Sequence, residues 1–176
     1  MKSLLTLAVI LSVSLRCVAC YCIEPIDKKG VQNLMDNSDL IFYGSAITSI
    51  YLEPELTEFY NNRNNGYNVI VKIDSVIKGD LNVGDEVLIY QNSGNCDELF
   101  YYGERKLILG NTITKFKTSP TLEIDFNEGT VLGHQSEEEN KFYNQTIQNK
   151  TGIWTNSCQV YTPNSKSYRR LFDLMN

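Results

Sequence analysis

Cysteine placement constrains this chain more than any other feature, because Cys20-Tyr21-Cys22 directly follows a hydrophobic leader. Cys17 lies inside that leader, which leaves an even set of four cysteines in the remainder of the chain. An even set in an oxidising compartment predicts two disulfides. A bond between Cys20 and Cys22 would close a very small strained ring, so each is expected to pair with Cys96 or Cys158. The residues alone leave open which partner each one takes.

Residues 1–19 have the form of a secretory signal peptide. A positively charged start precedes an apolar core from Leu4 to Leu15, and the small residues Cys17 and Ala19 suit signal peptidase. The core is shorter than the ~20 apolar residues that a spanning helix needs, which disfavours the alternative of a retained membrane anchor. Cleavage after Ala19 predicts a mature domain of residues 20–176. We expect it to be secreted, or periplasmic or cell-surface located if the source is bacterial.

The mature chain is acidic. Lys2 and Arg16 leave with the leader, so 14 of the 16 basic residues remain against 21 acidic ones, a net charge of −7. Nucleic-acid binding depends on Lys and Arg neutralising phosphates, so we expect no nucleic acid partner. No second long apolar segment follows the leader, and we expect a monomer without a transmembrane segment.

A second interpretation of Cys20 stays open, because a bacterial lipobox also places a cysteine directly after the cleavage site. Cys17 stands three residues before Cys20, where that motif usually has Leu. A lipid anchor at Cys20 would use the sulfur and usually the amine. Lipidation would therefore exclude both a disulfide and a free terminus at this residue.

Short apolar segments separated by turn residues predict a small β-barrel. Residues 51–66 contain Pro54 and an Asn-rich run that is typical of a loop. Asn164 or Ser165 is expected to cap a short C-terminal helix, with an apolar face of Tyr168, Leu171, Phe172 and Met175. The predicted strands lie at 38–50, 67–77, 87–90, 99–102, 106–109 and 152–155, with two short candidates at 122–126 and 130–132.

Residues 111–151 differ from the rest of the chain in being rich in Asn, Glu and Thr. Glu137-Glu138-Glu139-Asn140 is expected to form a solvated face. Two glycosylation sequons begin at Asn144 and Asn149, and they matter only in an organism that glycosylates them.

Residues that catalysis would need are sparse. The single histidine, His134, lies in a part of the chain without strong periodicity, and no phosphate-binding glycine loop is present. One Cys-x-Cys, two isolated cysteines and one histidine make a poor zinc signature. We therefore expect no enzymatic activity and no cofactor; a hydrolase that uses His134 is the alternative.

The predicted N-terminus offers one unusual chemical group. An α-amine has a pKa of ~7.7–8.0, so part of it is neutral at physiological pH. The Cys20 amine and carbonyl oxygen together could chelate a metal ion, and catalytic zinc keeps one coordination position open. Two disulfides would hold this chelating N-terminus, which we call the wedge, in place and lower the entropic cost of binding. The alternative is that a tethered terminus only protects the domain.

Several short motifs follow one another in order along about 20–110 and 152–172. They are Cys20-Tyr21-Cys22-Ile23 with Pro25, Asn37-Ser38-Asp39-Leu40, Val71 to Lys78-Gly79, Asn95-Cys96, Gly103 to Leu109, Thr155 to Cys158, Pro163-Asn164-Ser165 and Arg169-Arg170-Leu171-Phe172. In this order, directly after a signal peptide, they resemble the netrin-like family. The closest resemblance is to the N-terminal inhibitory domain of the tissue inhibitors of metalloproteinases.

The resemblance implies a mainly β fold, a five-stranded, closed, OB-fold-like barrel with a short C-terminal helix. It implies the disulfides Cys20–Cys96 and Cys22–Cys158. It further implies a secreted inhibitor of a zinc metalloproteinase, in which the Cys20 α-amine and carbonyl chelate the protease zinc. The implied protease-contacting ridge consists of Cys20, Tyr21, Cys22, Ile23, Glu24, Pro25, Ser93, Gly94 and Asn95, with Tyr21 directed into the specificity pocket.

The chain also departs from the family pattern. Asp36 stands where a third disulfide would begin, and residues 111–151 form an insertion. Tyr21 is bulkier than the small hydroxyl residue usual there, and Glu24 replaces a proline. The compact two-disulfide form resembles bacterial-type relatives. The alternative function is a secreted or surface-anchored netrin-like module that binds a protein or glycan through 111–151, without inhibition.

Overall fold

The structure is a computed structural model that describes residues 27–91, 97–119, 123–125, 128–133 and 136–175. Its helices are α1 (Lys28–Asp36), α2 (Pro54–Asn61), α3 (Glu137–Asn149) and α4 (Lys166–Met175). Its strands are β1 (Leu40–Ser49), β2 (Asn65–Gly66), β3 (Val69–Lys78), β4 (Glu86–Tyr90), β5 (Phe100–Tyr101), β6 (Arg105–Ile113), β7 (Lys115–Thr118), β8 (Glu123–Asp125), β9 (Thr130–Gly133), β10 (Gly152–Trp154) and β11 (Val160–Tyr161). Within the described residues, no helix is both long enough and apolar enough to cross a membrane.

Five strands close into a β-barrel in the order β1-β3-β4-β10-β6, and β6 pairs back onto β1. Neighbouring strands are antiparallel except β4 and β10, which are parallel. The side chains that fill the barrel are fully buried and include Phe42, Val71, Ile89, Ile108 and Ile153. These observations confirm the predicted mainly β fold, the closed five-stranded barrel and the short C-terminal helix.

The alternation predicted for the strand at 67–77 is present in β3 from Val71 onward, whereas Asn68 and Ile70, on the other face, are both buried. Val71 and Ile73 are buried, whereas Lys72 and Asp74 are exposed. Gly44 lies opposite β3 at an irregularity in the pairing with β1, and a Cβ there would lie 2.5 Å from Val71 Cγ1. Only glycine therefore lets the two strands approach so closely at this point.

Helices α1 and α4 pack together over the outer face of β1, β6 and β11. Val31 and Leu171 are buried there against Leu107, Leu109 and Tyr161. Ser165 caps α4, since its Oγ accepts a hydrogen bond from Tyr168 N at 3.1 Å. Of the two residues predicted as caps, Asn164 and Ser165, the structure therefore uses Ser165. Placing Phe172 on the apolar face was wrong: its ring is 48% exposed and stacks on Tyr168 at the helix surface.

The first residues of the region 111–151 belong to a barrel strand, and the described residues after them cover the outer face of the barrel. Residues 111–113 are the end of β6 and pair with β10. Beyond them, a three-stranded sheet in the order β7-β9-β8 and helix α3 pack over β3, β4 and β10. The buried residues of this second core include Tyr90, Phe116, Val131 and Tyr143. The region is therefore a structural layer of the barrel.

Two further sequence predictions need correction. Residues 51–66 are not a loop throughout, because α2 forms there with Pro54 in its first turn. The run Glu137–Asn140 is the first turn of α3 rather than a uniformly solvated face, since Asn140 is buried and donates to Thr118 Oγ1 at 2.7 Å. Helices α1 and α3 and strands β2, β7 and β11 were not predicted.

Candidate functional site

Most of the predicted site lies outside the described residues. This applies to Cys20, Tyr21, Cys22, Ile23, Glu24, Pro25, Ser93, Gly94, Asn95 and Cys96, and to His134. Cys158 is described: it lies half-buried in the turn between β10 and β11. Its backbone N–H donates to Asn156 Oδ1 at 2.8 Å, and its carbonyl accepts from the Tyr161 hydroxyl at 2.9 Å. Both bonds fix the backbone that carries the Cys158 sulfur.

Gln91 is bonded to Glu98, which lies on the other side of residues 92–96 in the sequence. Its side chain is fully buried, and Oε1 accepts from Glu98 N at 2.6 Å while Nε2 donates to Glu98 O at 2.8 Å. The same Nε2 donates to Tyr67 O at 2.8 Å, and the Gln91 backbone N–H donates to Asn68 Oδ1 at 2.8 Å. One amide side chain thus pairs with the backbone as a neighbouring strand would.

Lys106 ties the same region to the C-terminal part of the chain. Its side chain is only 3% exposed, with Nζ 2.8 Å from Glu98 Oε1 and 3.3 Å from Glu104 Oε2. Nζ also donates to Thr162 Oγ1 at 3.1 Å. A buried ammonium group is tolerated only where charges and hydrogen bonds compensate it, and these three contacts do so. Glu98 is consequently held through both its backbone and its carboxylate.

The parallel pairing of β4 with β10 brings these features to one end of the barrel. Trp154 pairs with Tyr90, and Thr155 N donates to Tyr90 O at 3.4 Å. Parallel strands end at the same edge of a sheet. Tyr90, which precedes Gln91, therefore lies beside Thr155, which precedes the turn that carries Cys158. We call Gln91, Glu98, Lys106 and Cys158 the Gln91 end of the barrel.

Helix α2 and strand β5 form a lobe beside the Gln91 end. Tyr102 joins the two, with its hydroxyl 2.7 Å from Ser49 Oγ and in contact with Asn61 Oδ1. Large apolar side chains are exposed on this lobe and the adjoining part of β1: Ile47 43%, Leu56 38%, Phe59 44% and Tyr101 52%. Such exposure is a feature of interaction surfaces when the side chains form a patch.

Burial perturbs the pKa of several side chains in the described residues. Burial raises the pKa of Tyr51 and that of Tyr143. Burial, followed by the nearby Glu53 charge, raises the pKa of Glu139. Among the described residues no three His, Cys, Asp or Glu side chains are grouped as metal ligands would be.

Comparison of the chain with family models, curated proteins and solved structures gives no match. The netrin-like family therefore stays a hypothesis based on the ordered motifs. Sequence reasoning did not find Gln91 or Lys106. Both are polar residues at the edge of an apolar strand, and that pattern also fits an ordinary solvated strand end.

Proposed function

We propose that the protein is a secreted, non-enzymatic inhibitor of a zinc metalloproteinase that acts through Cys20-Tyr21-Cys22. One observation carries the proposal: the parallel pairing of β4 and β10 brings Tyr90, at the end of β4, beside Trp154 and Thr155, which lead into the Cys158 turn. Disulfides Cys20–Cys96 and Cys22–Cys158 would then fix the N-terminus at the Gln91 end.

The order of the barrel strands supports the OB-fold-like part of the proposal. Counted along the chain, the fifth barrel strand, β10, lies between the third, β4, and the fourth, β6. It does not pair with the first strand, β1, which pairs with β6. A five-stranded barrel with such crossed connections is the general plan of the OB-fold. Loops of this fold are common binding sites, since a rigid barrel positions them.

The placement of α1 also supports the proposed disulfides. Val31 in α1 packs with Tyr161, whose hydroxyl bonds the carbonyl of Cys158. Cys22 lies five positions before Asp27, the cap of α1, and an extended chain of five residue steps spans at most about 18 Å. A Cys22–Cys158 bond would join the segment before α1 to the turn whose carbonyl accepts from Tyr161.

In the proposed mechanism the chain supplies a preorganised chelating group. The neutral fraction of the Cys20 α-amine and the Cys20 carbonyl oxygen would take the open position on the protease zinc. Ser93, Gly94 and Asn95 would form the second part of the ridge, with their base fixed by Gln91 and Glu98. Preorganisation lowers the entropy lost on binding. Tyr21 would select proteases with a deep specificity pocket.

The experiment that tests the proposal is an inhibition assay against a panel of zinc endopeptidases. Mature protein beginning at Cys20 is compared with a variant that carries one added Ala before Cys20. The extension is expected to weaken inhibition at least about 100-fold, because losing a metal contact removes several kcal/mol. The matched control carries one Ala after Asn176 and is expected to inhibit normally. Equal inhibition by both extended forms, or inhibition of no protease by the mature form, would exclude the wedge.

A second candidate is a netrin-like module that binds a protein or glycan without inhibition. Exposed Phe59 and Tyr101 on the α2–β5 lobe favour this candidate. The lobe suits it better than 111–151, whose apolar side chains Phe116, Val131 and Tyr143 are buried against the barrel. A glycan array tests it with a Phe59→Ser/Tyr101→Ser variant, which should lose binding that the Ala extension before Cys20 leaves intact.

A further inference from the structure

The two glycosylation sequons differ sharply in their structural surroundings. Both belong to α3 or its C-terminal end: residues 144–146 lie inside the helix, and residues 149–151 leave it. The amide nitrogen of the asparagine must be accessible for a folded protein to carry a glycan there. The positions of Asn144 and Asn149 can therefore be compared directly.

Asn144 uses its side-chain amide to join α3 to strand β7. Its Oδ1 accepts from Phe116 N at 2.9 Å, and its Nδ2 donates to Phe116 O at 3.0 Å. The residue is half-buried, and the adjoining Phe116 and Tyr143 are almost fully buried. A sugar on Nδ2 would have to occupy the space between α3 and β7, which would break this pairing.

Asn149 is the last residue of α3 and is exposed. Lys150 then adopts an extended backbone with φ −145 and ψ 143, so the sequon departs from the helix at the surface. The adjoining surface is a polar groove formed with Gly84, Asp85 and Glu86. A Cβ built on Gly84 would meet no atom within 4 Å, so this side of the groove is open.

We propose that Asn149 is an N-glycosylation site and that Asn144 is a structural asparagine which carries no glycan. In the transfer, Nδ2 of Asn149 forms a bond to C1 of the first sugar of a polyprenyl-diphosphate-linked oligosaccharide. The bond between C1 and the diphosphate oxygen breaks, the lipid diphosphate leaves, and one amide proton is released.

The position of Asn149 also keeps a glycan away from the Gln91 end. Lys150 pairs with Glu86 at the start of β4, whereas Gln91 follows the end of β4. The two sites therefore lie at opposite ends of the barrel. The inference rests on the secretion proposed above and not on the inhibition of a protease, so a failed inhibition assay would leave it standing.

The test is secretion of the full chain from cultured insect cells, whose secretory pathway contains an oligosaccharyltransferase. Purified protein is treated with peptide-N-glycosidase, and peptide mass spectrometry identifies each glycosylated Asn by its conversion to Asp. We expect most secreted molecules to carry a glycan on Asn149 and none to carry one on Asn144. Asn149→Gln should abolish the glycan without lowering the thermal midpoint.

The matched variant is Asn144→Gln, which removes the other sequon. It should leave the glycan on Asn149 unchanged but lower the thermal midpoint, because the longer side chain cannot keep both bonds to Phe116. A glycan on Asn144 in folded, secreted protein would overturn the proposal. An unmodified Asn149 in secreted protein would overturn it equally.

Discussion

The side chain of Gln91 bonds both backbone polar groups of Glu98, accepting from its N–H at 2.6 Å and donating to its carbonyl at 2.8 Å. These two residues bracket the segment 92–96, which contains the predicted ridge residues Ser93 to Asn95 and Cys96. The bonds therefore hold Gln91 and Glu98, the described residues on either side, at a fixed distance from each other. They form the best-defined part of the Gln91 end.

Replacing Gln91 with Leu should destabilise the protein by about 2–3 kcal/mol, because Tyr67 O and the Glu98 backbone lose buried partners. Urea unfolding measures the change. Gln145→Leu is the matched control, since Gln145 is exposed on α3, and its effect should stay within about 0.5 kcal/mol. If both variants unfold at the same urea concentration as the unmodified protein, Gln91 does not hold the segment.

Replacing Lys106 with Met should destabilise the protein by about 2–3 kcal/mol, because Glu98 and Glu104 lose their shared cation. The expected cost is below that of a fully buried pair, since both carboxylates are partly exposed. Lys117→Met is the control and should have little effect, because Lys117 is an exposed residue of β7. Adding Glu98→Gln to Lys106→Met should recover part of the loss in a double-mutant cycle. Strictly additive losses would contradict the pairing.

Replacing Tyr143 with Ala should destabilise the protein by about 3–5 kcal/mol, because its ring is 1% exposed between α3 and the barrel. Tyr143→Phe should cost about 1 kcal/mol through the lost contact with Asn68 Nδ2, which is 3.1 Å from the hydroxyl. Lys141→Ala on the exposed face of α3 is the control. If Tyr143→Ala produces a separate early transition and leaves the main one unchanged, region 111–151 is an independent unit.

The bond between Tyr43 and Tyr168 predicts a fall in stability at high pH. Burial and the 2.7 Å contact with the Tyr168 hydroxyl raise the pKa of Tyr43 from 10.0 to about 12. Between these values the unfolded chain has lost a proton that the folded chain retains, so stability falls as pH rises. Tyr43→Phe should flatten this fall when unfolding is measured from about pH 9 to 12. An unchanged slope would contradict the assigned shift.

The strands of the barrel were predictable because their apolar residues face a closed interior. Turn glycines follow β3 and precede β4: Gly79 and Gly84 adopt the positive φ values of +102 and +93 that glycine favours. The same logic predicted α4, whose Leu171 and Tyr168 lie on one face with a serine cap before them. Local pattern and tertiary packing agree at these positions.

The missed helices had weaker signals that were nevertheless present. Ser136 with Glu139 three residues later has the sequence of a capping box, and Ser136 Oγ accepts from Glu139 N at 3.1 Å. In α1, Asp27 caps the helix, and Val31 begins its buried face. In α2, Pro54 in the first turn is a signal of this kind. The bond from Ser49 N to Asn61 Oδ1 joins residues that no local pattern connects.

The candidate site was predicted only as a set of cysteines and ridge residues. Its supporting frame depends on pairs far apart in sequence, such as Lys106 with Thr162 and Gln91 with Asn68. Such pairs follow from the strand order of the barrel, which a single sequence does not specify. These contacts could therefore be identified only in the structure.

The central claim is that the mature chain begins with a free amine on Cys20 and is anchored by two disulfides at the Gln91 end. Mass spectrometry of the secreted protein under non-reducing conditions, intact and after proteolysis, tests it most directly. The claim predicts a chain that starts at Cys20 with an unmodified amine and the linked peptides Cys20–Cys96 and Cys22–Cys158. An acylated or blocked Cys20, or a different cysteine pairing, would contradict it.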